Sequence, residues 1–163
     1  MYYEEIFRKF QEKKIRYVVV GGLALNLHGI PRMTNDLDII IDLEKGNIQS
    51  LFKGLKELGY IPRLPFGADD FISPSIRKSW LADKSMIVFS FWNPDSPYKE
   101  LDIFIENPIN FSELDRTKTN MSVEDMVIPV VSVENLKTLK KISARPQDLA
   151  DLQELNKLKP DEE

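Results

Sequence analysis

Apolar residues at Tyr3, Ile6, Phe7 and Phe10 recur at helical spacing, with Lys and Glu on the other face, and predict an N-terminal helix. The run from Ile15 to Val20 is β-branched, long enough for a buried strand and too short for a helix, and Gly21-Gly22 closes it. Leu23 to His28 predicts a short helix stopped by Gly29 and Pro31. Leu37 to Ile41 predicts a second buried strand, with aspartates before and after it. From Glu44 to Leu58 the pattern becomes amphipathic: Ile48, Leu51, Phe52, Leu55 and Leu58 share one stripe, and Gly59 is the C-terminal stop.

The segment from Tyr60 to Trp80 is rich in Pro, Gly and Ser and predicts no defined element. Ser85 to Trp92 predicts a third strand, ended by the turn-like Asn93-Pro94-Asp95-Ser96-Pro97, and Lys99 to Glu106 a fourth with period-two alternation. These two are expected to pair as a hairpin. Met126 to Val131 predicts a short fifth strand. Ser132 caps an expected helix over Val133–Ile142, and Pro146 opens another over Gln147–Leu158. No repeat or linker divides the chain, so one domain is expected over 1–163. Its α/β core ends near residue 131, C-terminal helices follow over 132–158, and 159–163 form a solvated tail.

Composition narrows the chemistry. The chain has 163 residues with 42% hydrophobic and 29% charged, enough apolar side chain for one core without staples. It has no cysteine and one histidine, which excludes disulfides, thiolate metal sites and a multi-histidine zinc centre. A net charge of −4 makes no case for a nucleic-acid coat, although a local basic patch remains open. The opening MYYEEIFRKF is charged within four residues, unlike a signal or transit peptide, and no apolar run is long enough for a membrane span. A soluble, cytoplasmic protein is expected.

The candidate chemistry starts at Gly21-Gly22, followed after thirteen residues by Asp36-Leu37-Asp38. Residues i and i+2 of a strand point to one face, so Asp36 and Asp38 present two carboxylates side by side. Such a pair is costly without a cation, and Mg²⁺ binds one or two carboxylates together with substrate phosphates. The alternative is a solvated strand end. A strand feeding a helix through two glycines leaves backbone N–H groups free for an anion; the alternative there is an ordinary tight turn. No Walker loop or G-x-G-x-x-G occurs. Asp102 sits in mid-strand, opposite the face of Leu101, Ile103 and Ile105, where a carboxylate needs a partner. If the fourth strand lies beside the second, Asp102 joins Asp36 and Asp38 around a metal; otherwise it pairs with an arginine such as Arg32 or Arg145.

These residues resemble the DNA polymerase β-type nucleotidyltransferase superfamily. The run GGLALNLHGIPRMTNDLDIII is similar, more narrowly, to toxins of the AbiEii and minimal-nucleotidyltransferase type, as are Lys137 and the segment from Ala144 to Leu152. The resemblance is specific over Val18–Ile41 and Leu101–Phe104 and looser over Val131–Leu155. It implies the nucleotidyltransferase fold, a small mixed sheet flanked by helices with a short helical C-terminal end. It also implies Mg²⁺ (or Mn²⁺) on Asp36, Asp38 and Asp102, with Asp102 as the base, and a nucleoside triphosphate such as ATP at Gly21-Gly22.

Arg32, Thr34 and Lys137 are the further nucleotide-binding candidates that the resemblance implies. Arg32 could equally fix the aspartate pair, and Lys137 could belong to a solvated face with Lys140 and Lys141. Asn35 is expected to shape the turn and His28 to cap or pack. Arg145, Asp148 and Asp151 are expected as helix-surface or core-edge pairs. The implied reaction moves a nucleoside monophosphate to a hydroxyl of tRNA or protein, as the toxin half of a toxin–antitoxin pair with a cognate antitoxin. Two rivals are a small-molecule, antibiotic-type nucleotidyltransferase and a catalytically silent nucleotide-binding regulator. The first usually has an added helical domain that this chain lacks room for; the intact acid set argues against the second.

Overall fold

The computed structural model describes residues 2–158; the tail expected at 159–163 lies outside the described residues. In chain order the elements are α1 (Glu4–Glu12), β1 (Tyr17–Val20), α2 (Gly21–Leu27), β2 (Asp36–Ile41), α3 (Lys45–Glu57), β3 (Ile61–Pro62), α4 (Ala68–Ile72), α5 (Pro74–Lys84), β4 (Val88–Asn93), β5 (Ser96–Phe104), α6 (Phe111–Thr117), β6 (Thr119–Val123), β7 (Met126–Val130), α7 (Val133–Ser143) and α8 (Pro146–Asn156). The strands form one seven-stranded sheet in the order β3-β4-β5-β2-β1-β7-β6. It is mixed: β2–β5 and β1–β7 are parallel, and the other neighbours are antiparallel. This is the mixed sheet flanked by helices that the resemblance implies.

Local chemistry explains most of the boundaries. β1 is buried along its whole length, as an unbroken Tyr-Val-Val-Val run in mid-sheet requires. Glu44 caps α3 by accepting from the N–H groups of Gly46 and Asn47, and Gly59 ends it at φ +86. Asn47 is buried and bonds both Arg16 and the Asp42 carbonyl, tying the end of β2 to the start of β1. Ser132 caps α7 as expected, accepting from Asn135 N–H at 3.1 Å.

The segment over 60–80 departs from the expectation. It holds β3, α4 and the start of α5, with Ser73 accepting from Ile76 N–H and Pro74 in the first turn. Phe71 and Trp80 point inward from it against Phe89. Phe52 of α3 meets Phe71, Phe89 and Phe91, so this sheet face is closed by an aromatic cluster. The third strand begins at Val88 rather than Ser85, because α5 runs to Lys84 and Ser85 reverses the chain in the left-handed region. α6 and β6 were not expected at all.

Candidate active site

Register places two rows of side chains across one face of the sheet. Val20, Asp38, Asp102 and Ser90 are successive partners on β1, β2, β5 and β4; Asp36, Glu100 and Trp92 form the next row. The intervening residues, Leu37 with Leu101 and Phe91, and Ile39 with Ile103 and Phe89, face the opposite way into the aromatic core. The parallel pairing of β2 with β5 therefore meets the condition set by the sequence, and it brings Asp38 and Asp102 onto adjacent strands, about 4.8 Å apart.

The surroundings raise all three acids. Asp38 is pushed up to about 7 by desolvation, then by Asp102 and Asp36, against the opposing fields of Lys140 and Arg145. Desolvation also lifts Asp102 to about 6, although Ser90 donates to its Oδ1 at 2.6 Å and pulls the other way. Asp36 is raised by desolvation and by Glu100. Among the described residues none of the three makes an ion pair, and Asp102 bonds Ser90 rather than Arg32 or Arg145. The donor set is three hard carboxylates without a cation, which suits a divalent metal in kind. As they stand, no three His, Asp or Glu side chains among the described residues are gathered tightly enough to enclose an ion.

The glycines leave room for neighbours within the site. Gly21 has φ +67, and a Cβ there would overlap Asp38 Oδ2; at Gly22 a Cβ would lie 2.9 Å from Thr34. Both missing side chains thus make room for site residues of this chain. Gly21→Ala is expected to lose about 1–3 kcal/mol of stability and to displace Asp38. Gly29 has φ +93 but nothing within 4 Å of an added Cβ, so Gly29→Ala carries backbone strain alone. Thermal melts of the two variants separate the contributions; equal losses would contradict the Asp38 overlap.

The other sequence candidates divide. Thr34 packs on Gly22 and donates weakly to the Asp36 carbonyl at 3.4 Å. Arg32 is not set against the aspartate pair: Nη1 bonds Asp151 of α8 at 2.6 Å, and its buried Nε has no partner. Lys137 is drawn to Glu134 at 3.3 Å, whereas the cations whose fields reach Asp38 are Lys140 and Arg145. Lys140 is 5% exposed and lies 3.3 Å from Asp148 and 2.9 Å from Asp151, while Arg145 holds Asp148 at 2.8 Å. The expected core-edge pairs are therefore one network that fastens the C-terminal helices to the loop before β2. His28, at the end of α2, hydrogen-bonds the Val131 carbonyl through Nε2 at 2.7 Å.

Three site neighbours escaped the sequence reading. Ser90 holds Asp102. The buried Tyr3 hydroxyl bonds the Asn35 carbonyl and, at 3.2 Å, that of Glu100, pinning the starts of both acid-bearing strands. Arg63 bonds Glu100 at 2.8 Å and lies 5.1 Å over the Trp92 ring, with its field on Asp36 and Asp102. Only Ser90 carried a signal, its position between Phe89 and Phe91 on the opposite face of a strand.

The fold is that of a nucleotidyltransferase. It is similar to the lincosamide antibiotic adenylyltransferase LnuA in its lincomycin-bound form, at 17% identity and TM-score 0.61, over 96% of this chain and 97% of that one. It is similar to a candidate nucleotidyltransferase from Thermotoga maritima, at 17% identity and TM-score 0.59, over 95% and 91%. The antibiotic-resistance factor ANT(2'')-Ia matches at 13% identity and TM-score 0.59, over 94% and 80%. No curated protein matches significantly by sequence. The chain belongs to the AbiEii nucleotidyl transferase toxin family of type IV toxin–antitoxin systems, whose family model matches residues 6–163. No helix among the described residues is long and apolar enough to cross a membrane.

Proposed function

We propose that this protein transfers a nucleoside monophosphate from a nucleoside triphosphate to a hydroxyl of a macromolecule, tRNA or protein. In this reading it is the cytoplasmic toxin of a pair with a cognate antitoxin. The observation that carries the reading is the row of Asp38 and Asp102, with Asp36 beside it, on one sheet face next to Gly21. The acceptor oxygen attacks the α-phosphorus, the bond to the pyrophosphate oxygen breaks, and the acceptor's proton passes to Asp102. Ser90 orients that carboxylate, and its pKa near 6 leaves it ionised at neutral pH and able to accept. Asp36, Asp38 and Asp102 would hold Mg²⁺ or Mn²⁺, which supplies charge stabilisation at the attacking and leaving oxygens. The backbone N–H groups at the start of α2, where Gly21 and Gly22 lie, are the place for the triphosphate.

A small-molecule acceptor is the second reading, and one observation favours it. The lincosamide enzyme is matched over 97% of its length, so an acceptor of that size needs no larger chain than this one. The expectation that this chain lacks room for a small acceptor therefore loses its force.

Supplying each α-labelled triphosphate with cell extract and Mg²⁺, then separating RNA, protein and small molecules, identifies the acceptor. Label is expected in RNA or protein, and in chelator it should stay in the triphosphate. Transfer to RNA should weaken steeply with salt through counterion release. Label only in small molecules would replace the first reading by the second.

A further inference from the structure

A pocket of about 560 Å³ lies at the other end of the acid-bearing strands, where β2 gives way to Asp42 and β5 is followed by Glu106 and Asn107. Asp42 is four residues beyond Asp38, about 13 Å along a strand, so this is a separate site from the carboxylate row. Its wall includes Arg16, Arg77, Lys78, Glu106, Asn107 and Ser112.

Arg77 is the anomaly. It is 7% exposed, yet among the described residues no carboxylate lies within ion-pair distance of it. Lys140, equally buried, has two. Arg77 Nη1 donates to the carbonyls of Phe71 and, at 3.1 Å, Ile72, and the guanidinium lies 5.7 Å over the Phe71 ring, but Nε has no partner. A buried cation supported by two carbonyls and a ring lacks the counter-charge that such groups normally require. Close by, Asn107 donates to the Ile41 carbonyl while its Oδ1 is buried and unpartnered. Exposed Lys78 makes no ion pair with a described residue, and Arg16 stands at the pocket bound to Asp42 at 2.6 Å. Glu106 is the acid whose field reaches Arg77, without closing on it.

The pocket thus combines cations in need of an anion with an acceptor in need of a donor. We propose that it binds a phosphate group that keeps a proton, with Arg77 and Lys78 as its cationic partners and Asn107 accepting from its hydroxyl. Inorganic hydrogen phosphate has that combination; sulfate, fully deprotonated, does not. A nucleoside monophosphate retains the proton in part near pH 6.

The test is a titration of the full chain at pH 6.5 in chelator and constant ionic strength, read by two-dimensional ¹H–¹⁵N NMR. Phosphate should shift the Arg77 Nε–H, the Asn107 side-chain amide and the Ser112 backbone amide saturably, and sulfate should bind at least several-fold more weakly. Lys78→Gln, at an exposed position, should raise Kd about three- to tenfold, and Arg77→Gln should abolish the response. Adenosine 5′-monophosphate is the second arm: shifts at the same residues assign the phosphate to a nucleotide, and their absence assigns it to the free ion. The proposal is overturned by shifts confined to the Gly21-Gly22 turn, by linear and equal responses to phosphate and sulfate, or by an unchanged Kd in Lys78→Gln.

Discussion

Asp38→Asn is expected to abolish nucleotidyl transfer while leaving the metal-free fold at least as stable as the wild type at pH 7. The reason is the raised carboxyl. Asp38 rises from 3.8 to about 7, so between those values the folded chain holds a proton that the unfolded chain has lost. Stability then falls as pH rises through that window, and above it the ionised carboxylate costs the fold on the order of 2–4 kcal/mol. Asp102 acts with the same sign over the narrower range up to about 6. Wild-type protein in chelator should therefore melt at progressively lower temperature from pH 5 to pH 8, and Asp38→Asn should flatten that slope. Mg²⁺ with a nucleoside triphosphate should restore stability to the wild type by mass action, roughly 2.7 kcal/mol at a hundred times Kd, and much less to the variant. An Asp38→Asn protein that melts far below the wild type in chelator at pH 7 would make the carboxylate a structural group.

Lys140→Met should have the opposite signature. It leaves Asp148 and Asp151 facing each other with their shared ammonium gone, in a place where both are buried. Burial alone pushes Asp148 up, but hydrogen bonds from Arg145 and Ser143 and the Lys140 charge outweigh it and hold the carboxyl well below the usual range. The network's stabilisation is thus present at neutral pH and lost as pH falls below the ordinary carboxylate range. Denaturant unfolding of Lys140→Met should show a loss of about 1–3 kcal/mol, since Arg145 stays on Asp148 and Arg32 on Asp151 while one buried charged partner is gone. Because Arg32 also reaches Asp151, the variant should loosen the loop before β2 as well. A loss below 1 kcal/mol would mean that water replaces the ammonium.

The central elements were legible because pattern and punctuation agree there. The valine run and the apolar stretch after Asp36 each permit one element, and β1 and β2 stand there, while α2 begins on the glycine pair itself, at Gly21 rather than Leu23. The pairing of β2 with β5 was not legible, since parallel strands so far apart in sequence carry no local mark of adjacency; it could be stated only as a condition. Ser90 failed for a sharper reason. Counting back from the Asn93–Ser96 pair sets it opposite Lys99, and only the register shift between Trp92 and Asn93 moves it to Asp102. In the stretch over 60–80, Ser73-Pro74 was a readable helix start, with Ile76 and Trp80 at helical spacing, but the surrounding prolines and glycines masked it. Lys137 was selected over Lys140 because the resemblance points to one lysine of a cluster, while burial against Asp148 and Asp151 singles out another.

The central claim is that the aspartate row performs nucleotidyl rather than simple phosphoryl transfer. Parallel reactions with α-labelled and γ-labelled nucleoside triphosphate in cell extract test it most directly, using wild type and the Asp36→Asn, Asp38→Asn and Asp102→Asn variants. The account predicts that wild type moves the α-label to an acceptor and releases the γ-label as pyrophosphate, and that each variant does neither. Transfer of the γ-label to the acceptor, or α-label transfer that survives in the variants, would contradict it.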